Sequence, residues 1–330
     1  MTAYRLSLDV YRAARERIRL YVRHTPIAPA PPLTDELPAQ LALKLENLQV
    51  TGSFKPRGVF NSLLQLSDDQ RQRGVVTASG GNHGVAVAYA AWRLGLPTII
   101  YLPQTASADR VARVAAWGAQ VIQHGTAWDD AHAAASAHAE REHLDYIHPF
   151  DADATLAGQG TLGLELLEDV PDLDCVLIAI GGGGLIAGMA NAIKAAKPDV
   201  RIIGVEPVGA ASMQAAVAAG RVIELDRVRT IADTLAPRAV SERTRALTAA
   251  YVDQIVLVDD AAMIDSMRWL WRHYNQLVEP SGAAVIAALR QGAVDVRPHK
   301  HPVALICGGN ADASALWPHY DALAQAKARG

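Results

Sequence analysis

The 330 residues are 50% apolar, 20% charged and only 5% aromatic, enough for one large domain or two ordinary ones with full cores. Thirty-one Lys and Arg against 34 Asp and Glu leave a net charge of −3, which argues against nucleic-acid binding, since that needs a basic footprint. No apolar run reaches the roughly 18 residues of a membrane-spanning helix, the first ten residues lack a leader pattern, and Cys175 and Cys307 sit in apolar runs without a CxxC pair; a soluble, cytoplasmic protein without a disulfide framework or structural zinc is expected.

In chain order, a first helix spans Leu8–Arg23, followed by a proline-rich extended arm, Thr25–Pro38, and a strand over Leu41–Glu46. Three strand–helix units come next: strands at Gly74–Ser79, Thr98–Pro103 and Gln120–His124, helices at Val85–Leu94, Ala108–Trp117 and Trp128–Glu142. An extended passage begins at Tyr146-Ile147. Further strands fall at Cys175–Ile180, Arg201–Glu206, Gln254–Asp259 and Val303–Cys307, with helices at Leu185–Ala196 and Ala261–Leu277. This alternation predicts α/β architecture with parallel sheets covered by helices on both faces, and Val, Ile, Leu and Ala suit strands buried on both sides. The spacing predicts a small domain at 74–147 inserted in a discontinuous large domain, 1–73 plus 148–330.

Three places carry chemistry. Gly181–Gly184 follow a strand and open the helix at Leu185, where backbone amides and the helix dipole can hold a phosphate; a tight strand-to-helix turn is the alternative. Ser79-Gly80-Gly81-Asn82-His83-Gly84 sits at an equivalent junction, as a carboxylate-binding loop or simply a capped helix start. Lys55 lies between Phe54 and Pro56. Desolvation there would lower its pKa and make it a nucleophile toward carbonyls, although most loop lysines are merely solvated.

Together, Ser53-Phe54-Lys55, the Ser79–Gly84 loop, the tetraglycine turn and Cys307-Gly308-Gly309-Asn310 resemble the fold-type II pyridoxal-phosphate enzymes, of tryptophan synthase β-like architecture with two parallel-sheet αβα domains, and within them the serine/threonine dehydratase and serine racemase group. The motifs occur in the family's order from Thr25 to Asp312, joined by His148-Pro149-Phe150-Asp151, Ala157-Gly158-Gln159-Gly160, Gly204-Val205-Glu206-Pro207, Ile231-Ala232-Asp233 and Glu279-Pro280. The resemblance implies pyridoxal 5'-phosphate bound to Lys55 as a Schiff base, Phe54 packed on its ring, Asn82 on its 3′-oxygen, Gly181, Gly182, Gly183, Gly184 and Leu185 around its phosphate, and Cys307 beside the pyridine nitrogen. Ser79, Gly80, Gly81, Asn82 and His83 would bind the substrate carboxylate.

The implied reaction is α,β-elimination from L-serine or L-threonine, giving a 2-oxo acid and ammonia. Threo-3-hydroxyaspartate, phenylserine and a hydroxyectoine-derived acid are alternative substrates. Gly80 replaces the serine that acts as the second base in racemases, so racemisation is expected to be weak or absent. Glu206 and Ala210 align with two ligands of the racemase metal site, but Ser212 replaces the aspartate, which argues against a divalent metal. The loop's lack of threonines argues against β-replacement. The reading from a different class is a non-catalytic metabolite-binding α/β protein. With the sequence stopping at Gly330, feedback control through a C-terminal isoleucine-sensing domain is not expected. A homodimer is expected from the family, with Trp269 and Trp271 at an interface or in the core.

Overall fold

The computed structural model describes residues 3–29, 37–38 and 40–311. The middle of the expected proline-rich arm, Asp312 and the chain end at Gly330 lie outside them. Among the described residues, ten strands form two sheets. The larger has the order β1 (Ile27–Pro29), β2 (Ala42–Lys44), β10 (Pro302–Leu305), β7 (Cys175–Ala179), β8 (Arg201–Pro207), β9 (Gln254–Val258). All its pairs are parallel except β1 with β2. The smaller sheet is entirely parallel, in the order β5 (Gln120–Gln123), β4 (Thr98–Leu102), β3 (Val75–Ala78), β6 (Asp145–Tyr146). Strands β3, β7 and β10 are buried at every position, as expected where helices cover both faces.

The helices are α1 (Leu8–Ile18), α2 (Lys55–Leu63), α3 (Asp68–Arg73), α4 (Asn82–Leu94), α5 (Ala108–Ala115), α6 (Trp128–Glu142), α7 (Asp153–Asp169), α8 (Gly184–Ala196), α9 (Ser212–Ala219), α10 (Glu242–Tyr251), α11 (Asp260–Tyr274) and α12 (Pro280–Arg290). The first is shorter than expected, and the expected strand Leu41–Glu46 gives way to a 3-10 turn over Glu46–Leu48. Helix α11 stops at Tyr274 because Asn275 caps it in the left-handed region, φ 52°. Proline in β1 is tolerated because that strand is a sheet edge. Trp269 is buried in the core and Trp271 is exposed.

Helix α7 does not follow from apolar periodicity, because three glycines interrupt it. Those glycines are packing contacts: a Cβ on Gly158 would lie 2.5 Å from the Gly58 Cα and 2.4 Å from the Arg57 carbonyl oxygen. Close contact between α7 and α2 fixes the helix that begins at Lys55. Beneath it, the Arg57 guanidinium bonds both Glu46 oxygens, at 2.6 and 3.0 Å, and Glu165 at 2.9 Å. Lys44 Nζ reaches Glu165 at 2.6 Å and Asp169 at 2.7 Å. Both cations are fully enclosed, so this network braces α2, β2 and α7 against one another. No helix among the described residues is long and apolar enough to cross a membrane.

Candidate active site

One cavity of about 760 Å³ opens between the two sheets, at the C-terminal ends of β3 and β7. Lys55, Phe54, Ser79–His83, Gly181–Gly184, Leu185 and Cys307 all line it. Residues remote in sequence thus converge on one site.

Two 3-10 turns and a left-handed Thr51, φ 62°, lead into Lys55. Ser53 bridges Gly308, and the Phe54 amide donates to the Cys307 carbonyl at 3.2 Å, so the lysine and cysteine share the cavity floor. Lys55 Nζ donates to the Pro149 carbonyl at 2.9 Å and lies 5.1 Å from the Phe54 ring centre. Desolvation lowers its pKa to about 8, against the opposing pull of Cys307 and Glu279. About a tenth of the amine is then neutral at pH 7, far more than for an ordinary lysine, and a nucleophilic or basic amine requires that form.

The carbonyl that meets Lys55 is set by its neighbour. His148 Nδ1 accepts from the amides of Phe150, at 3.2 Å, and Asp151, at 2.8 Å, and burial holds that imidazole's pKa down to about 4. The resulting turn lays the Phe150 ring against the glycine loop. A Cβ on Gly182 would sit 2.3 Å from that ring, and one on Gly184 would sit 2.8 Å from the Phe150 Cβ. Gly183 has φ 88° and would meet Met213 at 2.4 Å. Protein walls the loop on those sides, leaving its amides for the cavity at the start of α8.

Asn82 opens α4. Its Nδ2 donates to Glu279 at 2.6 Å, and its Oδ1 accepts from Asn310 Nδ2 at 2.7 Å. Asn310 also donates to the Thr51 carbonyl at 2.8 Å. These bonds fix the carboxamide and leave its second N–H free of partners among the described residues. Glu279 lies at the entry to α12, and burial pushes its pKa up to about 6. The Cys307 thiol donates to the Ser281 carbonyl at 3.5 Å, and burial pushes its pKa up to about 12. The thiol is therefore neutral at working pH.

His83 also lines the cavity, but its Nε2 contacts Thr77 Oγ1 at 3.1 Å and the Ile147 carbonyl at 2.9 Å. Burial, with Lys55 nearby, lowers its pKa to about 3, so it is a neutral clamp on the chain leaving β6. Glu206 does not face the cavity. Its two oxygens accept the Met213 and Gln214 amides, each at 2.8 Å, at the start of α9, beside buried Ala210 and Ser212. Among the described residues, His24, Glu165 and Asp169 could jointly hold a metal, but the Lys44 ammonium already serves two of those carboxylates.

Sequence reasoning gave Glu279 and Asn310 no role, though both lie in motifs it quoted. Trp128, Arg110 and Asp233 line the mouth as well; the first two carry no local motif, and Asp233 lies in the quoted Ile231-Ala232-Asp233 without a role assigned from it.

The residues fit pyridoxal phosphate: a desolvated amine on the floor, a glycine cradle that Cβ atoms would fill, a fixed carboxamide and a neutral thiol. The model of the pyridoxal-phosphate dependent enzyme family matches residues 18–308. An L-threonine ammonia-lyase of Thermotoga maritima is 37% identical, over 94% of this chain and 77% of its own length. A serine racemase of Oryza sativa subsp. indica is 38% identical, over 95% of this chain and 94% of its own. The structure of maize serine racemase superposes with a TM-score of 0.91 at 36% identity, covering 98% of this chain and all of that one.

Proposed function

The chain belongs to the pyridoxal-phosphate-dependent enzyme family, and from that premise we propose that it is an ammonia-lyase of the serine/threonine dehydratase type, converting a β-hydroxy amino acid to a 2-oxo acid and ammonia. The observation that carries this reading is the pairing of a desolvated Lys55 with a thiol, rather than a carboxylate, at Cys307 on the same floor.

Bound pyridoxal phosphate supplies an electron sink for negative charge at the substrate Cα. Gly181–Gly184 would hold its phosphate through backbone amides, Asn82 would offer its free N–H to the ring oxygen, and Lys55 would anchor the aldehyde through Nζ. Once substrate occupies that position, Lys55 is the base that takes the α-proton and holds it. Cys307 stays protonated and offers the ring nitrogen at most a hydrogen bond. It would not stabilise positive charge at the ring nitrogen as a carboxylate would, which favours prompt loss of the β-hydroxyl; the departing hydroxide would take the proton that Lys55 drew from Cα and leave as water. The enamine that leaves tautomerises and hydrolyses, regaining the water and releasing ammonia. Ser79, Gly80 and Gly81 present the substrate carboxylate with amides and a hydroxyl at the start of α4.

The ammonia-lyase relative supports this reading, and the racemase relatives mark its alternative. Gly80 favours the lyase, because it has no side chain to move a second proton. The two sheets support a domain division in which 74–147 forms the small unit and 1–73 with 148–330 the large one.

The test is chemical. Borohydride reduction of the yellow protein should fix the cofactor on Lys55, and Lys55→Ala should lose both the chromophore and 2-oxo acid production from L-serine and L-threonine. Colourless protein after incubation with the cofactor, or an active Lys55→Ala variant, refutes the assignment. Rapid appearance of D-serine from L-serine would favour the racemase.

A further inference from the structure

Trp128, the first residue of α6, lines the cavity mouth and remains 37% exposed. Its orientation is fixed twice. The indole Nε1 donates to the Ala78 carbonyl at 2.9 Å, one residue before Ser79. The ring also stacks on His132, with centres 4.8 Å apart and planes 6° apart, and His132 is held in turn by the Tyr146 hydroxyl at 2.6 Å. One face of the indole is thus covered, while the ring still contributes surface to the cavity, on the lip beside the Ser79–Gly81 loop. A rigid aromatic surface kept open to a site favours an apolar or aromatic group that covers it.

Charge at the mouth points the same way. Arg110 is paired with Asp233. Arg238 is paired with Glu224 at 3.0 Å and lies 3.8 Å from Asp129. An acidic side chain would have to displace a carboxylate already in place. The cavity of about 760 Å³ must hold the cofactor as well as the substrate, and Trp128 lines it together with Ser79, Gly80 and Gly81.

We propose that Trp128 determines specificity, making this site prefer β-hydroxy amino acids that carry an aryl or similarly bulky apolar β-substituent. The proposal rests on the ammonia-lyase reading and adds the substrate class. Its test is turnover of L-serine, L-threonine, L-threo-3-hydroxyaspartate and L-threo-phenylserine by the holoenzyme, with 2-oxo acid and ammonia as readouts. Phenylserine should show the highest kcat/KM. The phenylserine-to-serine ratio should fall about tenfold in Trp128→Ala, equivalent to about 1.4 kcal/mol, and should hold within about threefold in Trp128→Phe, which keeps a ring. Calorimetry reads binding alone: L-phenylalanine, which has no β-hydroxyl to lose, should bind more tightly than L-alanine, and Trp128→Ala should erase the difference.

An unchanged ratio in folded Trp128→Ala, or a preference for hydroxyaspartate, overturns the proposal while leaving the lyase intact. If none of the four substrates yields a 2-oxo acid, the lyase reading fails instead, and the phenylalanine–alanine difference in wild type and Trp128→Ala still decides the role of Trp128.

Discussion

Gly182→Ala adds one methyl group at the point where the cofactor cradle meets its wall. The new carbon would sit 2.3–2.5 Å from three ring atoms of Phe150, well inside van der Waals contact. The ring cannot retreat freely, because the two amides bonded to His148 fix its backbone. The glycine loop must move instead, taking its amides off the phosphate position. Overpacking of this kind costs about 1–3 kcal/mol, so cofactor affinity should fall by roughly 5- to 150-fold. The assay is a spectroscopic titration of apoprotein with pyridoxal phosphate. Phe150→Ala/Gly182→Ala should recover most of the loss, because the double variant removes the collision, and the coupling energy measures it directly. Gly95→Ala is the control: φ 68° with nothing within 4 Å of the added carbon. It should lose about 1–2 kcal/mol of stability through backbone strain and leave cofactor affinity intact. If Gly182→Ala binds cofactor as tightly as wild type, or Phe150→Ala gives no relief, the cradle is not shaped by that contact.

Arg57→Ala should destabilise the protein by about 3–5 kcal/mol in urea, because it leaves Glu46 buried without its cation and Glu165 with Lys44 alone; a loss below about 1 kcal/mol would mean water replaces the guanidinium. Glu279 makes the apoprotein pH-dependent. Below about pH 4.5 folded and unfolded chains both hold its proton, between about 4.5 and 6 only the folded chain does, and above about 6 neither does. Stability should therefore fall by up to about 2 kcal/mol as pH rises through that window. Glu279→Gln should remove this part of the slope, and thermal melts with identical pH profiles for both proteins would contradict the assignment.

Much of the sheet framework was legible because β4, β7, β8 and β9 are rich in Val, Ile and Leu, and β7 is buried at every position. Helix α7 was hidden because its glycines serve contacts with other helices that no local pattern encodes. Gly181–Gly184 and Lys55, which the fold brings to one cavity, stood out as candidates in sequence because their signal is local: consecutive amides and one amine in small-residue surroundings. Glu279 and Asn310 could not be assigned, since their significance lies in bonds to Asn82 that exist only after the sheets come together. Trp128 gave no signal for the same reason; only its seat on Ala78 and His132 separates it from an ordinary surface tryptophan.

The bridge between Ser53 and Gly308 also sets the order in which the protein can mature. Strand β10 lies between β2 and β7, so the floor beneath Lys55 is missing until a late stretch of chain inserts between two earlier strands. Such long-range pairing is slow compared with local helix formation. During synthesis the amine at position 55 emerges long before the segment that completes its surroundings, and an incomplete chain has no finished pocket in which to retain an aldehyde. Growth of yellow colour during refolding should therefore act as a clock for the insertion of that strand.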